Sequence, residues 1–402
     1  MADAGDAQAT PASKMEEMTE AQILEEMAAK KDDADVLCLA MNTLWKRVWP
    51  ATKAWKPKRD RDGQMVGTAD HPISPWPEVI NALVSAMETH PDNASVTESA
   101  CAGLLFYYNH VCAYETVSSQ RPASTIFPRV IKAVIASLRR EKAKVKHDAD
   151  TKGMLVLWKM IEPGHKLKDI IHAGIIDVLQ SVLLRHPSNR TTIFEAYKLL
   201  NLIATNYPLE LAVSSSMLES LRHVITHERG AGMLMLTMWR ITAAPPAEMA
   251  EADAVNFLEH TRSNITALRP GVGWILAAMQ IHMMSIHVNI FGLKLLTQMA
   301  ENAGSKDMAQ CINASLGFNV VLDTMKRFYF DDEAQLHCAK AIWALLFFGG
   351  VETVEEDGKR RTNQMLRAAE TRFSSPEQLQ LRTVAKKARE LINLDPIEVD
   401  DM

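Results

Sequence analysis

Three short segments repeat a set of side chains suited to binding apolar groups: Met41-Asn-Thr-Leu-Trp45-Lys46, Met154-Leu-Val-Leu-Trp158-Lys159 and Met235-Leu-Thr-Met-Trp239-Arg240. An indole offers a wide apolar face with one N–H donor, a thioether adapts to irregular shapes, and a neighbouring cation can sit over the ring. On a helix, Met and Trp four residues apart share a flank. Two roles fit this pattern. The tryptophans either pack between helices or line a groove that takes an apolar or amphipathic segment.

A second group is basic. From Lys46 to Arg61 the chain reads KRVWPATKAWKPKRDR, with Lys53, Lys56, Lys58, Arg59 and Arg61 clustered near Trp49 and Trp55. Cations among aromatic rings can hold phosphates and stack on bases, which makes this stretch the alternative, nucleic-acid-directed site; its plainer role is a solvated loop. Prolines at 50, 57, 72, 75 and 77 argue against one continuous helix here. Arg139, Arg140, Lys142, Lys144 and Lys146 follow an amphipathic run and read as a cationic helix C-terminus.

Catalytic chemistry finds little support. The chain has no G-x-x-x-x-G-K-[ST] loop, no G-x-S-x-G elbow and no H-E-x-x-H helix. His223 and His227 have a chelating spacing, yet His227-Glu-Arg-Gly230 also reads as an ordinary polar helix boundary, and neither metal nor cofactor is expected. The five cysteines form no C-x-x-C pair and sit among apolar residues, as reduced core thiols do. The acidic start lacks the basic and apolar regions of a secretory signal, and the most apolar run, Gly271 to Met279, is too short to span a bilayer. The expected location is the cytoplasm, with the nucleus as the alternative.

The 402 residues, 47% hydrophobic and 23% charged, are of globular composition, and 44 Lys plus Arg against 49 Asp plus Glu give no basic field to attract nucleic acid to the chain as a whole. Nearly every apolar run has helical spacing, so the expected class is all-α with no β-sheet. Seven runs share an apolar-apolar-x-x-apolar form, beginning at Ile23, Val79, Val130, Ile175, Met217, Ile275 and Val321. A second amphipathic run starts 17 to 23 residues after each, at Ala40, Ala100, Gly153, Ala196, Leu234, Gly292 and Ala339. A steady offset inside a period of 42 to 58 residues is what stacked helical hairpins require. Small residues at the head of six of the second runs allow close helix approach.

The segment Lys168 to Asn206, KDIIHAGIIDVLQSVLLRHPSNRTTIFEAYKLLNLIATN, resembles an armadillo repeat: a short helix ending at Ala173-Gly174, a second from Ile175 and a third from Thr192. Met308 to Phe328 is similar, with Gly317 at the bend, and HEAT repeats suit the weaker units. The resemblance implies a right-handed α-solenoid of about seven repeats over residues 16–350, interrupted by the basic insertion at 46–75. A disordered tail at 1–15 would precede it, and an acidic loop, a capping helix and an acidic tail at 351–402 would follow. It also implies that the third helices line a concave groove. Peptide-binding members of the family hold an extended peptide there with an aromatic residue and an Asn four residues later, an arrangement that Tyr197 and Asn201 resemble. The expected function is a non-enzymatic scaffold binding another protein's peptide or helix through Trp45, Trp158, Tyr197, Asn201, Trp239 and Lys294, the aromatics as anchors and the polar groups fixing orientation.

Overall fold

In a computed structural model the chain is described over residues 11–54, 58–59, 65–66, 76–110, 123–140, 147–161, 167–243, 245, 249, 251–302 and 306–393. The fold is all-α, as the apolar spacing requires, and it divides into two compact units, Met1–Arg185 and His186–Met402. The division falls inside the range expected to form one repeat domain.

The first unit contains α1 (Pro11–Glu17), α2 (Glu20–Ala29), α3 (Ala34–Ala54), α4 (Trp76–Thr89), α5 (Ala94–His110), α6 (Ala123–Leu138), α7 (His147–Ile161), α8 (Leu167–His172) and α9 (Ile175–Arg185). Two expectations are corrected here, and one on the prolines holds. Residues 11–15 are not disordered: they open α1, where burial of Met15 anchors the turn. As the prolines lead one to expect, residues 46–61 are not one continuous helix: α3 runs through Pro50 but ends at Ala54, and Lys58–Arg59 is a strand. Among the described residues the departure from helix is a ladder of two short strands, Lys58–Arg59 antiparallel to Met65–Val66, with Lys58 opposite Val66.

The second unit contains α10 (Arg190–Asn206), α11 (Ser215–Val224), α12 (Glu228–Ile241), α13 (Glu251–Leu268), α14 (Val272–Ile281), α15 (Ile286–Asn302), α16 (Lys306–Ala314), α17 (Gly317–Arg327), α18 (Asp332–Gly349), α19 (Glu356–Arg372) and α20 (Leu379–Asn393). The long helices pack in succession. In the first unit α3 lies on α5 and α5 on α7; in the second α10 lies on α12, α12 on α15, α15 on α18 and α18 on α20. A second layer runs beside each series, α2 to α4 to α6 to α9 in one unit and α11 to α14 to α17 to α19 in the other.

One turn recurs at six of the entries from a second-layer helix into a long helix. In Lys30–Asp33, His90–Asn93, His186–Asn189, Val224–His227, His282–Ser285 and Phe328–Asp331 the fourth residue's N–H donates to the first residue's carbonyl at 2.7 to 3.1 Å. In five of the six the fourth side chain then caps the helix: Asp33 accepts from Val36 N, Asn93 from Val96 N, Asn189 from Thr192 N, His227 from Gly230 N and Asp331 from Ala334 N. Each cap satisfies a donor that the first helical turn leaves unpaired.

A side chain at the end of a second-layer helix also reaches back to the preceding turn. Within the first unit His90 Nε2 lies 2.8 Å from Lys31 O, and Arg185 donates to Leu138 O at 2.6 Å. Within the second, His282 Nε2 lies 2.8 Å from Ile225 O, while Arg327 donates to Met283 O and Arg372 to Tyr329 O. The helix that ends at Asn393 packs on α18 and α19, so residues 356–393 repeat the two-layer arrangement.

Two bends between helices differ. Gly174 adopts φ +83°, a left-handed conformation natural to glycine, and a Cβ there would meet the Arg139 guanidinium. At the second expected bend the left-handed residue is Leu316, φ 64°, and not Gly317. Gly317 is required for closeness instead: a Cβ would lie 2.4 Å from Ile312 Cγ2 and 2.7 Å from its carbonyl oxygen.

The first unit also buries charge. Arg140 is sunk, correcting its expected role in capping the helix C-terminus: it donates to Thr97 Oγ1 at 2.9 Å and to Asp150 Oδ1 at 3.0 Å. Arg185 takes the other carboxylate oxygen, Asp150 Oδ2, at 3.0 Å. It is Arg185 that supplies the charge at the end of α6, through Leu138 O and Arg140 O. Lys142, Lys144 and Lys146 lie outside the described residues.

Candidate functional site

The recurring tryptophans hold a common position on the long helices. Trp158 and Trp239 are half-buried, and each follows a fully buried residue, Leu157 or Met238. The methionine four residues earlier is not on the surface with them: Met41, Met154 and Met235 are all core. Four residues advance a helix by about 40° beyond one turn, enough to carry the indole out of the apolar stripe while the methionine stays within it. Lys159 places its ammonium 4.7 Å from the Trp158 ring centre. Trp45 lies on the α3 backbone, but its side chain is outside the described residues.

Trp239 opens onto a pocket of about 350 Å³ built entirely within the second unit. Four successive long helices wall it. Trp239 comes from α12, Lys294, Thr297, Gln298 and Glu301 from α15, His337, Lys340 and Trp343 from α18, and Val384 and Lys387 from α20. Spacings of three and four residues put each set on one face of its helix. Two of the six residues expected to bind a partner, Trp239 and Lys294, therefore meet here.

The walls are held in place. The Gln298 amide, oriented to satisfy both its ends, accepts from Trp239 Nε1 at 3.1 Å and donates to Trp239 O at 2.9 Å and Thr242 Oγ1 at 3.0 Å. The Lys294 ammonium sits 5.3 Å from the Trp239 ring centre and 3.0 Å from Glu333 Oε1. Trp343 stacks on Phe347 with ring centres 5.2 Å apart, and Phe348 meets it edge-on at 6.1 Å. Indole faces fixed by hydrogen bonds and stacking lose little freedom when a ligand lands on them.

Burial sets the protonation of the pocket floor. It pushes the His337 imidazole down to about 4, with Lys294 and Lys340 adding to the effect and Glu333 opposing it. His337 is consequently neutral at pH 7. Burial also raises the Glu301 carboxyl, and Lys340 partly offsets that. The pocket thus presents aromatic faces and three ammonium groups against one lining carboxylate.

The remaining expected contacts fall elsewhere. Tyr197 is completely buried, and its hydroxyl donates to Met217 O at 3.3 Å. This corrects its placement in a groove: it lies between Ile193 and Leu200 in the buried face of α10, and its ring belongs to the core. Asn201 is half-buried and engaged, accepting from Arg240 Nη1 at 2.9 Å, while the same guanidinium group meets Thr205 Oγ1. It ties α10 to α12 through the residue after Trp239. Of the alternative basic patch, Lys53 lies on α3 and Lys58 and Arg59 on β1, with side chains outside the described residues, as are Lys56 and Arg61 altogether.

The first unit has its own smaller pocket, about 260 Å³, where α3, α5 and α7 meet. Its walls are polar: Cys38, Asn42, Ser95, Ser99 and the Lys152–Glu98 pair at 2.9 Å. Among the described residues no group of three or more His, Cys, Asp or Glu could hold a metal ion. His227 is occupied as a helix cap, and His223 lies 3.2 Å from Glu219. No helix among the described residues is long and apolar enough to cross a membrane.

Sequence reasoning missed Lys340 and Lys387 and one of the two aromatic walls, Trp343. Trp343 shares a signal with the others, an aliphatic residue before the indole and a buried residue four before it, here Ile342 and Ala339. Requiring Met at the earlier position hid it. The chain matches no protein-family model and no curated protein.

Proposed function

We propose that this chain is a non-enzymatic, armadillo-like α-solenoid that binds a peptide or helix of another protein, and that the pocket walled by Trp239 and Trp343 is its contact site. The observation carrying this reading is the succession of long helices in the second unit, which brings residues 239, 294, 343 and 387 to one open, aromatic-walled face. Recurrent turns and reach-back hydrogen bonds support a repeat architecture, because one helical pair cannot cover its own apolar side. An open face walled by rigid indoles suits capture of an extended or helical segment.

Exchanging Trp239 or Trp343 for Ala is expected to weaken capture of a co-purifying partner by about 2 kcal/mol, with a smaller loss of stability than the roughly 3 to 5 kcal/mol of a core truncation. Unfolding free energy and partner capture are measured on the same two variants. A core-sized loss of stability with capture unchanged by the milder Trp→Phe exchanges would assign both indoles to packing and remove the site.

A further inference from the structure

We propose that the pocket of the second unit takes an acidic segment of a partner protein, with carboxylates meeting Lys340 and Lys387 and a neighbouring apolar or aromatic side chain lying against Trp239 and Trp343. This rests on the binding-face reading above and adds the chemistry of the occupant.

The charges on the walls carry the inference. Three ammonium groups line the pocket, from Lys294, Lys340 and Lys387, against one carboxylate, Glu301. Lys294 is already engaged by Glu333. Lys340 and Lys387 form no hydrogen bond or salt bridge with another described residue, although Lys340 is close enough to Glu301 to act on its carboxyl. His337 adds no positive charge at neutral pH, so the positive charge of the walls is that of the lysines, which outnumber the one lining carboxylate. The result is a cationic hollow between apolar walls, where low-dielectric surroundings strengthen attraction for an anion beyond its value in water.

The indoles decide what accompanies that anion. A small inorganic ion would satisfy the lysines but leave the faces of Trp239 and Trp343 unused. A peptide that alternates carboxylates with apolar or aromatic side chains satisfies both at once. A basic segment meets like charge and is rejected. The volume, about 350 Å³, suits a few side chains of a segment whose remainder runs along the helices on either side.

The test uses the full chain and a random copolymer of glutamate and tyrosine, which presents every short spacing of carboxylate and ring. Lysine acetylation at each position is followed by mass spectrometry at low salt. Near saturation, acetylation of Lys340 and Lys387 is expected to slow by about fivefold or more, with Lys326 and Lys386 unchanged. Lys340→Gln, which leaves the core untouched, should remove the protection of Lys387, and inorganic phosphate alone should give none. The proposal is overturned if the acidic copolymer leaves both lysines at their free rates or slows all lysines alike. Protection by an arginine–tyrosine copolymer instead would overturn the acidic chemistry while sparing the binding face, and protection by neither would remove both.

Discussion

The pocket of the first unit, walled by Cys38, Asn42, Ser99 and the Lys152–Glu98 pair, and the pocket of the second, walled by Trp239, Trp343 and three lysines, arise from the same packing of long helix on long helix. They differ in where charge is put. The first unit buries it in the mutually bonded group Arg140, Asp150 and Arg185 and pairs what remains in its pocket. The second leaves Lys340 and Lys387 beside aromatic walls. Helix stacking therefore sets the shape of each hollow, and the few side chains at the edge of each apolar stripe set its chemistry.

The sharpest way to break this comparison is to remove the buried charge of the first unit. Asp150→Asn keeps the shape but strands two arginines, and should cost about 3 to 5 kcal/mol in denaturant unfolding. A near-zero cost would mean that the group is not the fixed structural element described here.

The second unit should instead show its charge in pH dependence. Because the folded His337 titrates near 4 and an unfolded histidine near 6.5, the unfolded chain binds the extra proton between those values. Stability is fully present above about 6.5 and falls toward 4, by at most about 3 kcal/mol from this group. His337→Gln should flatten that part of the stability profile, and an unaltered profile would refute the assignment.

The two bends give smaller effects of opposite sign. Gly174→Val should cost roughly 1 to 3 kcal/mol, since a β-branched residue resists a positive φ and its Cβ meets Arg139. Leu316→Gly should stabilise by roughly 0.5 to 1 kcal/mol, by relieving an exposed side chain held at φ 64°. Thermal melts of the two variants that moved in the same direction would contradict this contrast.

Much of the fold was legible because helical burial leaves a periodic trace. The paired runs marked α9 and α10, α14 and α15, and α17 and α18, and Gly174 marked its own bend. The left-handed residue at the other bend was hidden, because glycine there answers to crowding by Ile312 rather than to φ. The turns before the long helices were readable and passed over: Asp33, Asn93, Asn189 and Asp331 are ordinary cap residues, and His-Pro-x-Asn occurs twice, at His90 and His186. The pocket was harder. Trp239 and Lys294 could be nominated singly, but the meeting of residues 239, 294, 343 and 387 depends on the register between helices, which spacing along one chain does not encode. Tyr197 shows the converse, since a wide apolar stripe drew in a residue whose family resemblance pointed outward.

Ionic quenching of the Trp343 emission, isolated as the difference between the wild-type chain and Trp343→Phe, tests the binding face most directly. An open cationic pocket concentrates anions, so iodide should quench this component more strongly than caesium at equal concentration, and the bias should shrink in Lys340→Gln and with added salt. The Trp158 component, obtained in the same way, supplies the reference from the first unit. A Trp343 component shielded from both ions, or quenched more by caesium, would contradict the claim that the second unit presents an accessible, cationic, aromatic-walled site.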